Sequence, residues 1–85
     1  MAVLHILSNP DAAASCLASM ADGDALLILG DGAFALANLV PPERSGVIAQ
    51  DALDRGIALS EGVDRLSYAN FVEWVVAYRS SVSWT

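Results

Sequence analysis

The sequence predicts an α/β fold, a single domain in three α/β/α layers around a mostly parallel sheet of about five short strands. Three observations predict it. Short apolar runs alternate with segments of helical period along the chain, the order that builds βαβ units. The run Ala25 to Leu29 is apolar without interruption, as in a strand covered on both faces. A length of 85 residues allows one small domain and no second, so residues 1–85 are read as one unit.

Each element has its own signal. Ala2 to Leu7 is an apolar run with β-branched content, bounded by Ser8-Asn9-Pro10, and reads as a strand. Pro10 suits a first helical position, with Asn9 or Ser8 as N-cap and Asp11 beside the positive helix end. Ala13, Cys16, Leu17 and Met20 follow at helical spacing, opposite Ser15, Ala18 and Asp22, and Asp22-Gly23 stops that helix. After the Ala25–Leu29 strand, Gly30-Asp31-Gly32 turns the chain, and Ala33 to Asn38 makes a short helix that ends before Pro41-Pro42. Val47 to Ala49 is a third strand, and a helical turn or two from Gln50 to Arg55 closes at Gly56. Val63 to Leu66 is a fourth, weakly marked strand. Ser67 caps the helix Tyr68 to Arg79, and Ser81 to Trp84 is a terminal strand.

That last long helix carries more apolar surface than one sheet needs. Asn70, Glu73 and Ser80 form a narrow polar line, whereas Phe71, Val72, Trp74, Val75, Val76 and Tyr78 cover more than half the circumference. A surface helix needs an apolar stripe only somewhat wider than ~100°. The helix is therefore expected to be covered twice, by its own sheet and by something else. Phe71, Val72, Trp74, Val75, Tyr78 and Trp84 are the candidate interface residues, some of them shared with the core. The two tryptophans suit a binding hot spot and a core equally.

Composition points the same way. Ten Asp and Glu against four Arg and no Lys give a net charge of −6, which argues against direct nucleic-acid binding because phosphate contacts depend on Lys and Arg. Hydrophobic residues make up 55% of the chain, above the ~45–50% usual for soluble domains. A domain of this size buries only roughly 60–65% of the surface of its unfolded chain, so some apolar surplus is expected at the surface, against a partner. The single cysteine, Cys16, forms no internal disulfide and fits a reducing cytoplasm. No basic residue precedes Arg44, so the charged region of a signal peptide is missing. Ala25 to Pro42 holds only one charge, Asp31, but its glycines and Pro41-Pro42 mark strand, turn and helix instead of a membrane span.

No catalytic constellation emerges from the residue types. Gly30-Asp31-Gly32-Ala33-Phe34-Ala35 satisfies the G-x-G-x-x-G/A dinucleotide fingerprint, with Asp51 about 20 residues on as the ribose acid. An acidic Asp31 inside a pyrophosphate cradle and a following helix of barely two turns favour a plain strand-to-helix turn, and no cofactor is expected. Cys16 is a sulfur carrier or a buried small hydrophobe; mid-helix, with no basic residue near, it fits the second better. His5, the sole histidine, alternates with Val3 and Leu7 and reads as a hydrogen-bonded core or interface residue, since one His and one Cys are too few for a metal. Asp22, Asp24, Asp51, Asp54, Asp64 and Glu61 are scattered and read as solvated faces.

Taken in order, the residues resemble the TusB/DsrH family nearly end to end. The opening Leu4-His5, the Cys16 helix and the strand running into Asp31-Gly32 carry the likeness. Asp51 to Arg55-Gly56 is similar to the family's Asp-Leu-x-Ala-Arg-Gly, Tyr68, Phe71 and Val72 to its Tyr-x-x-Phe-Val, and Trp84 to its terminal Trp. The chain is shorter than the pattern around Pro41 to Gly46 and Gly56 to Asp64. The resemblance implies a DsrEFH-like fold, a five-stranded parallel sheet whose last strand returns beside the first. It also implies a small, non-catalytic subunit of a sulfur-relay complex, a heterohexamer with TusC-like and TusD-like subunits. In the TusBCD type, persulfide sulfur passes from a TusA-like donor to the TusD-like subunit, then to a TusE-like acceptor, and ends in 2-thiouridine at the tRNA wobble position. DsrH-type relatives in sulfur oxidisers carry a first-helix cysteine that Cys16 matches, which leaves sulfur oxidation and a persulfide-handling Cys16 as the alternative.

Overall fold

Parallel pairing dictates the layout of the chain, because two parallel strands cannot be joined by a tight turn and each pair needs a crossover. The computed structural model describes residues 2–59 and 61–85. Its strands are β1 (Val3–Leu7), β2 (Ala25–Ile28), β3 (Ser45–Ile48), β4 (Asp64–Leu66) and β5 (Ser80–Trp84), all parallel, in the order β4-β3-β2-β1-β5. The last strand returns beside the first, with Val3 opposite Ser80 and Leu7 opposite Trp84.

The helices are α1 (Ala13–Ser19), α2 (Ala49–Asp54) and α3 (Tyr68–Ala77), together with a 3₁₀ turn at Pro10–Ala12 and a 3₁₀ helix at Gly30–Ala37. The Asn9 side chain accepts the Asp11 N–H at 3.0 Å, with Pro10 in the first turn, as the sequence indicates. Around α3, Ser67 and Asn70 form a reciprocal capping box. Gly56 takes φ +68° where α2 ends, a left-handed conformation that closes the turn without strain. Several boundaries differ from the sequence reading, among them the end of α3, at Ala77 instead of Arg79. Helix α1 ends at Ser19, short of Asp22-Gly23, because the chain turns early to bring Ala21 N–H onto the Asp24 carboxylate at 3.0 Å. The helix expected from Ala33 begins at Gly30 and is 3₁₀ throughout. Strand β3 begins two residues before Val47, its Ser45 hydroxyl donating to the Pro42 carbonyl at 2.7 Å.

Handedness then sets the layers. Steps from β1 to β4 all run one way across the sheet, so right-handed crossovers put their helices on one face, and the return from β4 to β5 puts α3 on the other. The two halves of the core agree with this. Leu7, Cys16, Leu26, Ile28, Val47 and Ala52 lie on the face of α1, the 3₁₀ helix and α2. Leu4, Ala25, Leu27, Ile48 and Leu66 lie under α3, which meets them with Phe71, Trp74, Val75 and Tyr78. Those four sit at i, i+3, i+4 and i+7 and so form one row of the helix. Among the described residues no helix is long and apolar enough to cross a membrane.

Gly46 makes that seat possible. A Cβ there would lie 2.6 Å from a Leu66 methyl and 3.1 Å from the Trp74 ring, so the missing side chain is what lets α3 settle on β3. Gly46→Ala is expected to cost about 1–3 kcal/mol through overpacking. Urea denaturation checks it; a midpoint equal to the parent's would show that α3 is not tightly seated.

Candidate functional site

Two polar clusters lie at opposite ends of the sheet. At the N-terminal end of β2, Asp24 is buried, its exposure only 7%. Its Oδ1 accepts the Val3 N–H at 2.9 Å, while Oδ2 accepts the Ala21 N–H at 3.0 Å and contacts His5 Nε2 at 3.0 Å. The other imidazole nitrogen, Nδ1, accepts the Trp84 indole N–H at 3.1 Å. An indole N–H only donates, so Nδ1 holds a lone pair and Nε2 carries the proton given to Asp24. Both nitrogens of His5 are thereby occupied, and neither is free to take a proton from a substrate. Of the two sequence readings of His5, a hydrogen-bonded core or interface residue, the buried geometry matches the first.

The second cluster lies beyond the C-terminal ends of β2 and β3, where open α/β sheets bind ligands. Here the fingerprint glycines are committed to the protein itself. Gly30, at φ +55°, donates its N–H to Asp51 Oδ2 at 2.8 Å. Gly32 packs so tightly on β1 that a Cβ would collide with the Leu7 carbonyl. Asp51 also accepts the Tyr68 hydroxyl, at 2.9 and 2.8 Å to its two oxygens. Arg55 pairs with Asp31 at 3.0 Å and donates to the Asp51 carbonyl at 3.0 Å. The N–H and the acid that a dinucleotide would need are bonded to each other, which supports the plain turn. This cluster ties β2, α2 and α3 together.

Two carboxylates therefore depart from the sequence expectation. Asp24 and Asp51 are buried and bonded, not solvated, because each offers an acceptor to backbone N–H groups that turn geometry leaves without a partner. Asp22, Asp54, Glu61 and Asp64 are exposed as expected. The missed signal was position: Asp24 directly precedes an apolar strand, and Asp51 opens a helix.

Cys16 is fully buried in the core under α1, and burial pushes its thiol pKa up, away from thiolate. The candidate interface residues separate into two sets. Phe71, Trp74, Val75 and Tyr78 are partly buried against the protein's own sheet, and Trp84 against the opposite half of the core. Val72 faces outward at 57% exposure. With Tyr68 and Val76, the latter 79% exposed, it forms a second row at i, i+4 and i+8 on the far side of α3.

Ala21, Val3 and His5, in that order of effect, hold the Asp24 carboxyl at about 2 against an ordinary 3.8. A carboxyl lowered on folding stabilises the protein above its unfolded pKa, and that contribution is lost as pH falls through the folded value. Thermal melts should therefore drop steeply between pH 4 and 2. Asp24→Asn should melt lower at neutral pH and show a shallower drop in that window; parallel curves for the two proteins would contradict this. Tyr68→Phe leaves Gly30 bonded but removes the phenol donor, and should cost about 1 kcal/mol in chemical denaturation. The same bond to Asp51 should make Tyr68 ionise above its ordinary value of 10, as ultraviolet titration would report.

Comparison with known proteins adds one finding. The family model described as DsrH like protein matches residues 8–81. No curated protein matches the sequence.

Proposed function

The chain belongs to the DsrH-like family of sulfur-relay subunits, and from that membership we propose that it is a small, non-catalytic subunit of a cytoplasmic sulfur-relay complex. Its partners are TusC-like and TusD-like subunits in a heterohexamer, which passes persulfide sulfur from a TusA-like donor to a TusE-like acceptor. The end product is 2-thiouridine at the tRNA wobble position, and the chain itself touches no nucleic acid, in keeping with its net charge of −6.

The observation that supports an assembly role is the two-sided α3. Its inner row is used by the sheet, while Val72 and Val76 stand exposed on the outer side beside Tyr68, whose hydroxyl is bonded to Asp51. An apolar row of this kind is the surface that a subunit presents to a partner. The chemistry supports a non-catalytic role as well. His5 has no free nitrogen, and the buried Cys16 thiol lacks both access and a neighbouring positive charge.

Val72→Asp combined with Val76→Asp should leave folding within about 0.5 kcal/mol, because both side chains are exposed. In the assembled complex the double variant should bind its partners at least ~10-fold more weakly, measured by co-purification over a concentration series. Unchanged co-purification would remove this face from the interface. Cys16→Ser, assembled with its partners, should transfer labelled sulfur within about twofold of the parent rate. Loss of transfer would favour the sulfur-oxidation reading, in which Cys16 itself carries persulfide.

A further inference from the structure

We propose that His5, Asp24 and Trp84 form a proton-operated latch on the C-terminal strand, in which a second proton on the imidazole expels the Trp84 indole and frees the end of β5. Which atoms donate decides the contact. Trp84 Nε1–H points at His5 Nδ1 from 3.1 Å, and an indole nitrogen has no lone pair to offer in return. A proton on Nδ1 would set two N–H groups against each other at that distance, turning an attraction into a repulsion.

One of the two partners must then yield, and the surroundings decide which. His5 is held on its other side by Asp24, whose carboxyl stays ionised down to about pH 2 and draws the imidazolium closer. His5 also lies in β1, bonded on both sides by β2 and β5. Trp84 has weaker ties. Its ring stacks on His5 with centroids 6.2 Å apart, its carbonyl accepts the Ser8 N–H at 3.1 Å, and β5 is an edge strand exposed from Ser80 to Ser83. The indole is the group that leaves.

Among the described residues the other charges near this site are exposed or already paired: Asp22, Glu43 and Arg44, which line a cleft with Asp24, are all exposed. Beside His5 the adjacent strands carry Leu26 and Val82 at its register. Helix α1 contributes the Cys16 thiol, which burial keeps neutral, and the 3₁₀ turn before it carries an exposed Asp11. In the 3₁₀ helix Asp31 is paired with Arg55, and on α2 Asp51 is bonded to Gly30 and Tyr68 and Asp54 to Gln50. Helix α3, with Glu73, lies on the opposite face of the sheet. The proton therefore acts through one contact.

Nuclear magnetic resonance of the full ¹⁵N-labelled chain between pH 8 and pH 4 tests the latch. At pH 8 the imidazole should show the neutral Nε2–H tautomer. As it takes its second proton, the Trp84 indole N–H should shift with the same midpoint and exchange with water at least ~10-fold faster. The Trp74 indole and the β2 and β3 amides should hold through that step. Trp84→Phe, which keeps an aromatic ring but no donor, should let the imidazole take its second proton at a higher pH than in the parent, because no N–H then opposes it. His5→Gln should abolish the Trp84 step. An indole signal that stays constant while His5 is protonated would overturn the latch. So would an imidazole that stays neutral until the core amides are lost, a Trp84→Phe midpoint that does not rise, or a Trp84 step that persists in His5→Gln.

Discussion

The parallel pairing of β5 with β1 dictates how both faces of the sheet are covered. It joins Val3 to Ser80 and Leu7 to Trp84, the two ends of the described chain. Because the first four strands march across the sheet in one direction, this pairing forces a return crossing, and the return crossing is α3. One face is shared by α1, the Gly30–Ala37 helix and α2. The other has α3 alone to cover Leu4, Ala25, Leu27, Ile48 and Leu66. A single ten-residue helix does this with large side chains, Phe71, Trp74 and Tyr78, and with a glycine beneath them at position 46. On its opposite side only Tyr68 reaches back into the chain, through its hydroxyl to Asp51, and the outward Val72 and Val76 follow from the topology.

The two buried carboxylates complement this frame. Asp24 sits where a turn meets β2 and Asp51 in the first turn of α2, each facing backbone N–H groups that lack a ladder partner. Asp24 gathers Val3, Ala21 and His5 at the start of β2, and through His5 it reaches Trp84, so a single side chain links the first, second and last strands. Asp51 gathers Gly30 and Tyr68 at the far end of the sheet and joins β2 to α3. Clusters of Asp, His, Tyr and Arg resemble catalytic sets when read as a list of residues. Here every partner is taken by another part of the same chain, and the geometry reads as scaffolding.

Much of this was legible in the sequence, because local rules and tertiary demands agree. Asn9-Pro10, Ser67 and Gly56 mark helix ends by chemistry that acts within a few residues, and each is found where that chemistry puts it. The uninterrupted Ala25–Leu29 run announced a doubly covered strand, and all four residues of β2 are buried. Legibility failed where contacts span the chain. His5 and Trp84 are 79 residues apart, and His5 and Asp24 are 19 apart. No spacing rule predicts such bonds, so Asp24 and Asp51 looked like solvated acids. The helical period of α3 revealed an excess of apolar surface; only the sheet beneath it decides that Trp74 faces inward and Val72 outward.

The proposed role makes this chain one subunit of a larger, mixed assembly. Native mass spectrometry of the protein isolated from its own cells through an affinity tag tests it most directly. The expected particle is several times 8.9 kDa and holds this chain and two other small subunits in equal numbers. A free monomer, or a dimer of this chain alone, would contradict it.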